Sequence, residues 1–179
     1  MKKNRESGIR PPSILSETDP QLTEPDILAA LETVMDPEIP VVSLVEMGIV
    51  RRIDVDEEKV TVTITPTFSG CPALAVMQRD ILRRLEEIGA QEPRVELSLS
   101  PPWSTDWITP SARRKLADFG IRPPAAHGGN IDLVLFDPVA CTNCGSENTS
   151  LRNSFGSTPC RMIYVCNNCR EPFERMKPL

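Results

Sequence analysis

The sequence predicts an α+β fold: a small mixed sheet of about three strands covered by helices, in the order α-β-β-α-β-α, followed by a C-terminal zinc ribbon. Three observations predict it. Segments of helical and of two-residue apolar periodicity alternate between residues 23 and 121. Eighteen prolines in 179 residues, about twice the usual ~5%, cut the chain into short elements. Two C-x-x-C pairs stand close together near the C-terminal end, the spacing of a four-cysteine metal site.

Residues 1–22 are polar, with no apolar run behind their basic residues, and read as a disordered tail rather than a secretory signal. Residues 23–121 read as one α+β domain. In "TEPDILAALETVMD", Thr23 caps, Pro25 falls in the first turn and Asp26 takes the capping-box position. Ile27, Leu28, Leu31, Val34 and Met35 form one apolar face, and Pro37 is expected to end the helix. "DPEIPVVSLVEMG" then reads as a stiff extended loop. "IVRRIDVDEEKVTVTITPT" is a β-hairpin whose second strand alternates Val60, Val62 and Ile64 with threonines. A second helix is expected from about Pro72 to Ile88, with Leu74, Met77, Ile81, Leu82, Leu85 and Ile88 inward and Gly89 as its stop. "RVELSLS" is a third strand with Val95, Leu97 and Leu99 on one face. Joined by that helix, the second and third strands should be parallel neighbours or near-neighbours. "TPSARRKLADFGI" is a short helix capped by Thr109, opened by Pro110 and closed by Gly120. Residues 122–135 form a proline- and glycine-rich linker. "IDLVLF" is one more candidate strand, leading into the ribbon at 136–179.

The net charge of -5 argues against nucleic-acid binding, which needs a basic face. No run approaches the roughly 18 apolar residues of a membrane-spanning helix, so no membrane partner is expected. The expected compartment is the cytoplasm, where cysteines stay reduced. The six cysteines are therefore read as metal ligands, working thiols or core residues before disulfides.

Cys141/Cys144 and Cys166/Cys169 are two such pairs, 21 residues apart. Each sits on a turn that aims two sulfurs at one point, and four sulfurs in a tetrahedron suit structural zinc. An iron–sulfur cluster on the same ligands is the rival. So short a segment has little core, and metal binding supplies its folding energy. Cys160 stands at C-x15-C from Cys144 and could ligate, but it has no C-x-x-C partner and reads first as a buried cysteine or one in the second shell of the ribbon metal.

Cys71 precedes Pro72 at the start of the second helix. With Pro72 in first position, the amides of Ala73 and Leu74 would face the sulfur and lower its pKa. The same position equally suits a small buried hydrophobe. Asp36 and Glu38 lie in a loop stiffened by Pro37 and Pro40. If extended, the loop points both to one side, which suits a metal ion or a basic group. Otherwise Asp36 caps the preceding helix end or a turn and Glu38 is solvated. Trp103 and Trp107 anchor either the core or a partner surface. His127 reads as a solvated linker residue, and Arg113, Arg114 and Lys115 as a solvated face. With no histidine paired to Cys71 and no phosphate-binding glycine loop, no independent catalytic activity is expected.

With "DPEIPVVSLVEMGIVR", "TPTFSGCPA" and "PPWSTDWIT" in this order, residues 24–121 resemble the domain of SufT-type iron–sulfur maturation factors. With "FGSTPCRMIYVCNNCREPF" added, the whole chain resembles the PaaD family, accessory subunits of the bacterial phenylacetyl-CoA epoxidase (phenylacetate-CoA oxygenase) system. The resemblance implies a functional thiol or metal-transfer site at Cys71 with Asp36 and Glu38. It places a proline–tryptophan motif on Pro102 and Trp103, and ribbon ligands on Cys141, Cys144, Cys166 and Cys169. The implied role in aerobic phenylacetate degradation is that of an accessory maturation factor. It assembles or delivers iron–sulfur or iron centres to the iron–sulfur reductase or di-iron oxygenase subunits. The alternative is a structural adaptor in the oxygenase complex, contacting partners through the tryptophan loop and ribbon. A stable cluster wants four ligands and the front domain offers one thiol. Its iron or cluster is thus transient, completed by a client, a second protomer in a homodimer, or Glu38.

Overall fold

The computed structural model describes residues 22–56, 59–132 and 137–179. The tail expected over residues 1–22 lies outside the described residues except for residue 22, as does most of the strand expected at 131–136. Helix α1 spans Glu24–Leu31, and its capping box forms: the Thr23 amide donates to Asp26 Oδ2 at 3.1 Å. The helix stops well before Pro37. The Val34 amide donates to Leu31 O at 3.0 Å and Thr33 Oγ1 to Ala30 O at 2.7 Å, tightening the last turn. Val34 is therefore buried beyond the helix rather than on it, while Leu28 and Met35 are exposed.

The loop expected to be extended coils instead. The Asp36 amide donates to Val42 O and the Leu44 amide to Val34 O, both at 2.9 Å. Coiling buries Ile39, Val42, Leu44 and Met47, each contributing about 1.5–3 kcal/mol. An extended chain would leave half of them in water. Gly48 ends this region at φ +67, and a Cβ there would lie 2.6 Å from Trp107 Cβ.

Strands β1 (Val50–Asp56) and β2 (Lys59–Ile64) pair antiparallel, and β2 pairs parallel with β3 (Gln91–Leu97). Sheet order is β1-β2-β3, as expected for two strands joined by a helix. That helix, α2 (Leu74–Glu87), buries Met77, Ile81 and Leu85. On the edge strand β3 and just beyond it, Leu97 and Leu99 are exposed rather than inward. Helix α3 (Pro110–Asp118) is capped by Thr109 Oγ1, which accepts from the Ala112 amide at 3.1 Å.

The ribbon holds β5 (Thr149–Asn153), β6 (Arg161–Cys166) and β7 (Pro172–Met176). It gains a fourth strand from the front domain: β4, Ile121–Arg122, pairs parallel with β7. Met176 is fully buried in the front-domain core. The linker is fixed as well. His127, expected in solvent, is 5% exposed. Its Nε2 lies 3.1 Å from Thr105 Oγ1 and 3.2 Å from Leu179 O, and its Nδ1 accepts from the Gly129 amide. Asp106 Oδ1 accepts from the His127 amide at 2.9 Å. Arg113, expected on a solvated face, donates to Pro124 O and Thr105 O. Thr105 is fully buried, so this Thr–His–Asp group ties the linker down and presents no hydroxyl to a substrate.

Candidate metal centres

The ribbon cysteines converge. Gly145 at φ +73 and Arg170 at φ +68 turn the chain back after each pair. The Gly145 amide donates to Cys141 O and the Arg170 amide to Cys166 O. The turns aim amides at sulfur: Asn143 N to Cys141 Sγ and Cys169 N to Cys166 Sγ, both at 3.4 Å. Cys141 Sγ lies 3.7 Å from Cys169 Sγ, and Cys144 Sγ 3.6 Å from Cys166 Sγ. All four sulfurs lie within 4.8 Å of one another. A tetrahedron with metal–sulfur bonds of about 2.3 Å has edges of about 3.8 Å. The donor set therefore fits one ion of zinc's size and is too tight to enclose a multi-iron cluster. The amide of Cys169 holds the Cys166 thiol down to about 6, against the opposing effect of burial. Its partner Cys169 is pushed the other way, to about 11, against the Glu171 amide, by burial and the neighbouring ribbon sulfurs, so a metal would find Cys166 as the thiolate and displace the proton of Cys169. Arg122 donates to Ala140 O and Cys141 O at 3.0 and 3.1 Å, anchoring the first knuckle to the front domain.

A second constellation lies in the front domain. Cys71, Asp36 and Glu38 line one cavity of about 20 Å³, together with Thr67 and Phe68. Asp36 is 5% exposed, and its Oδ1 accepts from the Glu38 amide at 2.8 Å and the Ile39 amide at 3.0 Å. Both of these bonds fall on Oδ1. The two acids thus share the cavity through a turn, not through an extended strand. Burial, ahead of these amides, pushes the Asp36 carboxyl above its ordinary range.

Cys71 departs from its expected setting. Helix α2 starts at Leu74 with Ala73 as N-cap, so Pro72 is not its first residue. Cys71 sits in the preceding turn: its amide donates to Phe68 O at 3.0 Å and its carbonyl accepts from Leu74 N at 3.2 Å. The expected lowering of its pKa is reversed. Burial pushes the thiol up, more than the Ala73 amide pulls it down, and the negative charges of Cys160, Asp36 and Glu38 push the same way. A cation in the cavity would invert that balance and favour the thiolate.

Cys160 stands apart from the ribbon ligands. It precedes β6, whereas Cys166 ends it, and six strand residues span roughly 20 Å. That separation removes Cys160 from the second shell of the ribbon metal. It lines the cavity with Cys71 instead. The clue in the sequence was arithmetic: six cysteines less four ribbon ligands leave two thiols. Trp103 is also reassigned. It is 4% exposed and its indole N–H donates to Met47 O at 2.9 Å, so it cannot form a partner surface. Trp107 is half-buried, with the Arg51 guanidinium 3.5 Å above its ring.

Two family profiles match the chain. One, described as "PaaD zinc beta ribbon domain", covers residues 135–177, and the other, "Iron-sulfur cluster assembly protein", covers residues 24–103. The chain is 41% identical over 158 residues to a protein of Escherichia coli (strain K12) named as a subunit of 1,2-phenylacetyl-CoA epoxidase. That alignment covers 88% of this chain and 93% of that protein. It is 35% identical over 96 residues to "Fe-S protein maturation auxiliary factor" of Porphyromonas gingivalis, covering 52% of this chain and 90% of the relative. Among solved structures, the DUF59 domain of unknown function from Bacillus anthracis matches at 31% identity with a TM-score of 0.49. The match covers 52% of this chain and 90% of that one.

Proposed function

Because the chain belongs to the PaaD family, we propose that it is an accessory maturation factor for a phenylacetyl-CoA epoxidase, delivering iron or iron–sulfur centres to client subunits. The iron–sulfur reductase and the di-iron oxygenase component are the clients. The observation that carries this reading is the meeting of Cys71, Asp36 and Glu38 on one small cavity. A thiol beside carboxylates is a mixed soft and hard donor set, which suits a borderline ion such as Fe(II). Iron here is cargo. On arrival it displaces the Cys71 proton. On departure a client thiolate replaces Cys71 on the metal, and Cys71 takes up a proton again. The raised thiol pKa of the empty site favours that last step.

The ribbon ion is zinc in this reading, and its role is structural: two of its four ligands are fully buried and none is left for exchange. No helix among the described residues is long and apolar enough to cross a membrane, and we place the protein in the cytoplasm. The adaptor reading loses its main contact residue with the burial of Trp103. Cys71→Ser tests the proposal: the variant should keep its ribbon zinc and its fold while the client reductase, isolated from the same cells, loses iron. Full cluster occupancy in that client would overturn it.

A further inference from the structure

We propose that Cys160, carried by the ribbon, is the second thiolate of the front-domain site, so that Cys71, Cys160, Asp36 and Glu38 together take a single divalent ion of borderline softness. This rests on the reading of Cys71, Asp36 and Glu38 as a metal-transfer site. Four observations support it. Cys160, with Thr158 and Pro159, lines the same cavity as those three residues. The cavity measures about 20 Å³, against the 10–15 Å³ or so that one water needs. That leaves room for one ion. Cys160 is neither a ribbon ligand nor fully buried, and Thr158 Oγ1, 3.2 Å away, is its polar neighbour.

The segment that carries it is also held in place. The Ser157 amide donates to Glu174 Oε1 at 2.7 Å and Arg161 Nη1 to Glu174 Oε2 at 2.7 Å. Arg161 Nε donates to Thr158 Oγ1 at 2.8 Å, and the Lys177 amide to Cys160 O at 2.9 Å. Gly156 closes against this knot, where a Cβ would lie 2.6 Å from Glu174 Oε1. Two thiolates and two carboxylates around a divalent ion leave excess negative charge, which the Arg161 guanidinium partly offsets for Asp36. The ribbon is then both a folded appendage and half of the ligand set.

The test uses the full chain, loaded with zinc in the ribbon and titrated with Co(II) without oxygen. Wild type should take up one further equivalent with sulfur-to-cobalt charge-transfer absorption. Cys71→Ser and Cys160→Ser should each keep the zinc, weaken cobalt binding at least ~10-fold and lose part of that absorption per bound cobalt. X-ray absorption should count two sulfurs on the cobalt in wild type and one in each variant. A Cys160→Ser protein identical to wild type, beside a defective Cys71→Ser, overturns this inference and leaves the Cys71 reading standing. Loss of zinc from Cys160→Ser overturns it too, by returning that thiol to the ribbon. Failure of wild type to bind cobalt at the cavity overturns both readings.

Discussion

Asp36 serves two opposing demands: it must be buried to sit in the cavity and charged to hold a cation. Its carboxyl is raised above the ordinary 3.8 mainly by burial. A raised folded-state pKa contributes stability at low pH that is lost as pH rises through it. Asp36→Asn keeps an oxygen for the Glu38 and Ile39 amides but removes the charge. It should therefore melt above wild type at neutral pH, with the gain shrinking as pH falls towards 3.8, and should bind metal worse. Thermal melts across that pH range check it, and a melting point equal to wild type at every pH would count against the assignment. Trp103 makes a contrasting case. Trp103→Ala opens a cavity in the core and orphans Met47 O, so denaturant unfolding should show a loss of about 3–5 kcal/mol.

At the scale of elements, capping and periodicity predicted α1, the hairpin, α2 and α3 because those signals are local in the chain. The loop over residues 36–48 coils where an extended chain is expected, because proline stiffness is local, whereas burial of Ile39, Val42, Leu44 and Met47 is decided by what packs above them. The segment before β6, residues 157–160, is a strap across the cavity and the element with the sharpest consequence. Arg161 is buried and its guanidinium is paired with Glu174. Glu174→Ala would remove the carboxylate bonded to that buried guanidinium and free the Ser157 amide, a loss of about 3–5 kcal/mol. Its stability should fall by that amount in urea, and its metal binding at the cavity should weaken with the ribbon zinc retained. Unchanged cobalt affinity in a folded Glu174→Ala protein would show that the strap need not be fixed.

At the scale of the molecule, the ribbon and the front domain share a core through Met176 and a sheet through β4 and β7. Removing the ribbon metal should therefore destabilise both. Cys166→Ser or chelation is expected to lower the front-domain melting temperature as well as unfold the ribbon. Tryptophan fluorescence checks this, since both tryptophans, Trp103 and Trp107, pack in or against the front core. A front domain that melts unchanged without the ribbon metal would show the two units to be independent.

The α+β order, the parallel pairing of β2 and β3 and the grouping of the four ribbon cysteines could be read from the sequence. Each follows from short-range rules: periodicity, capping, turn chemistry and ligand spacing. That Cys160 lines the same cavity as Cys71, that His127 and Trp103 are buried, and that Cys71 has a raised rather than a lowered pKa emerges only with the tertiary fold. Those depend on which distant segments share a cavity. Residues 71 and 160 come to line one cavity because β7 carries the ribbon back onto the front core, and no pattern local to either cysteine encodes that arrangement.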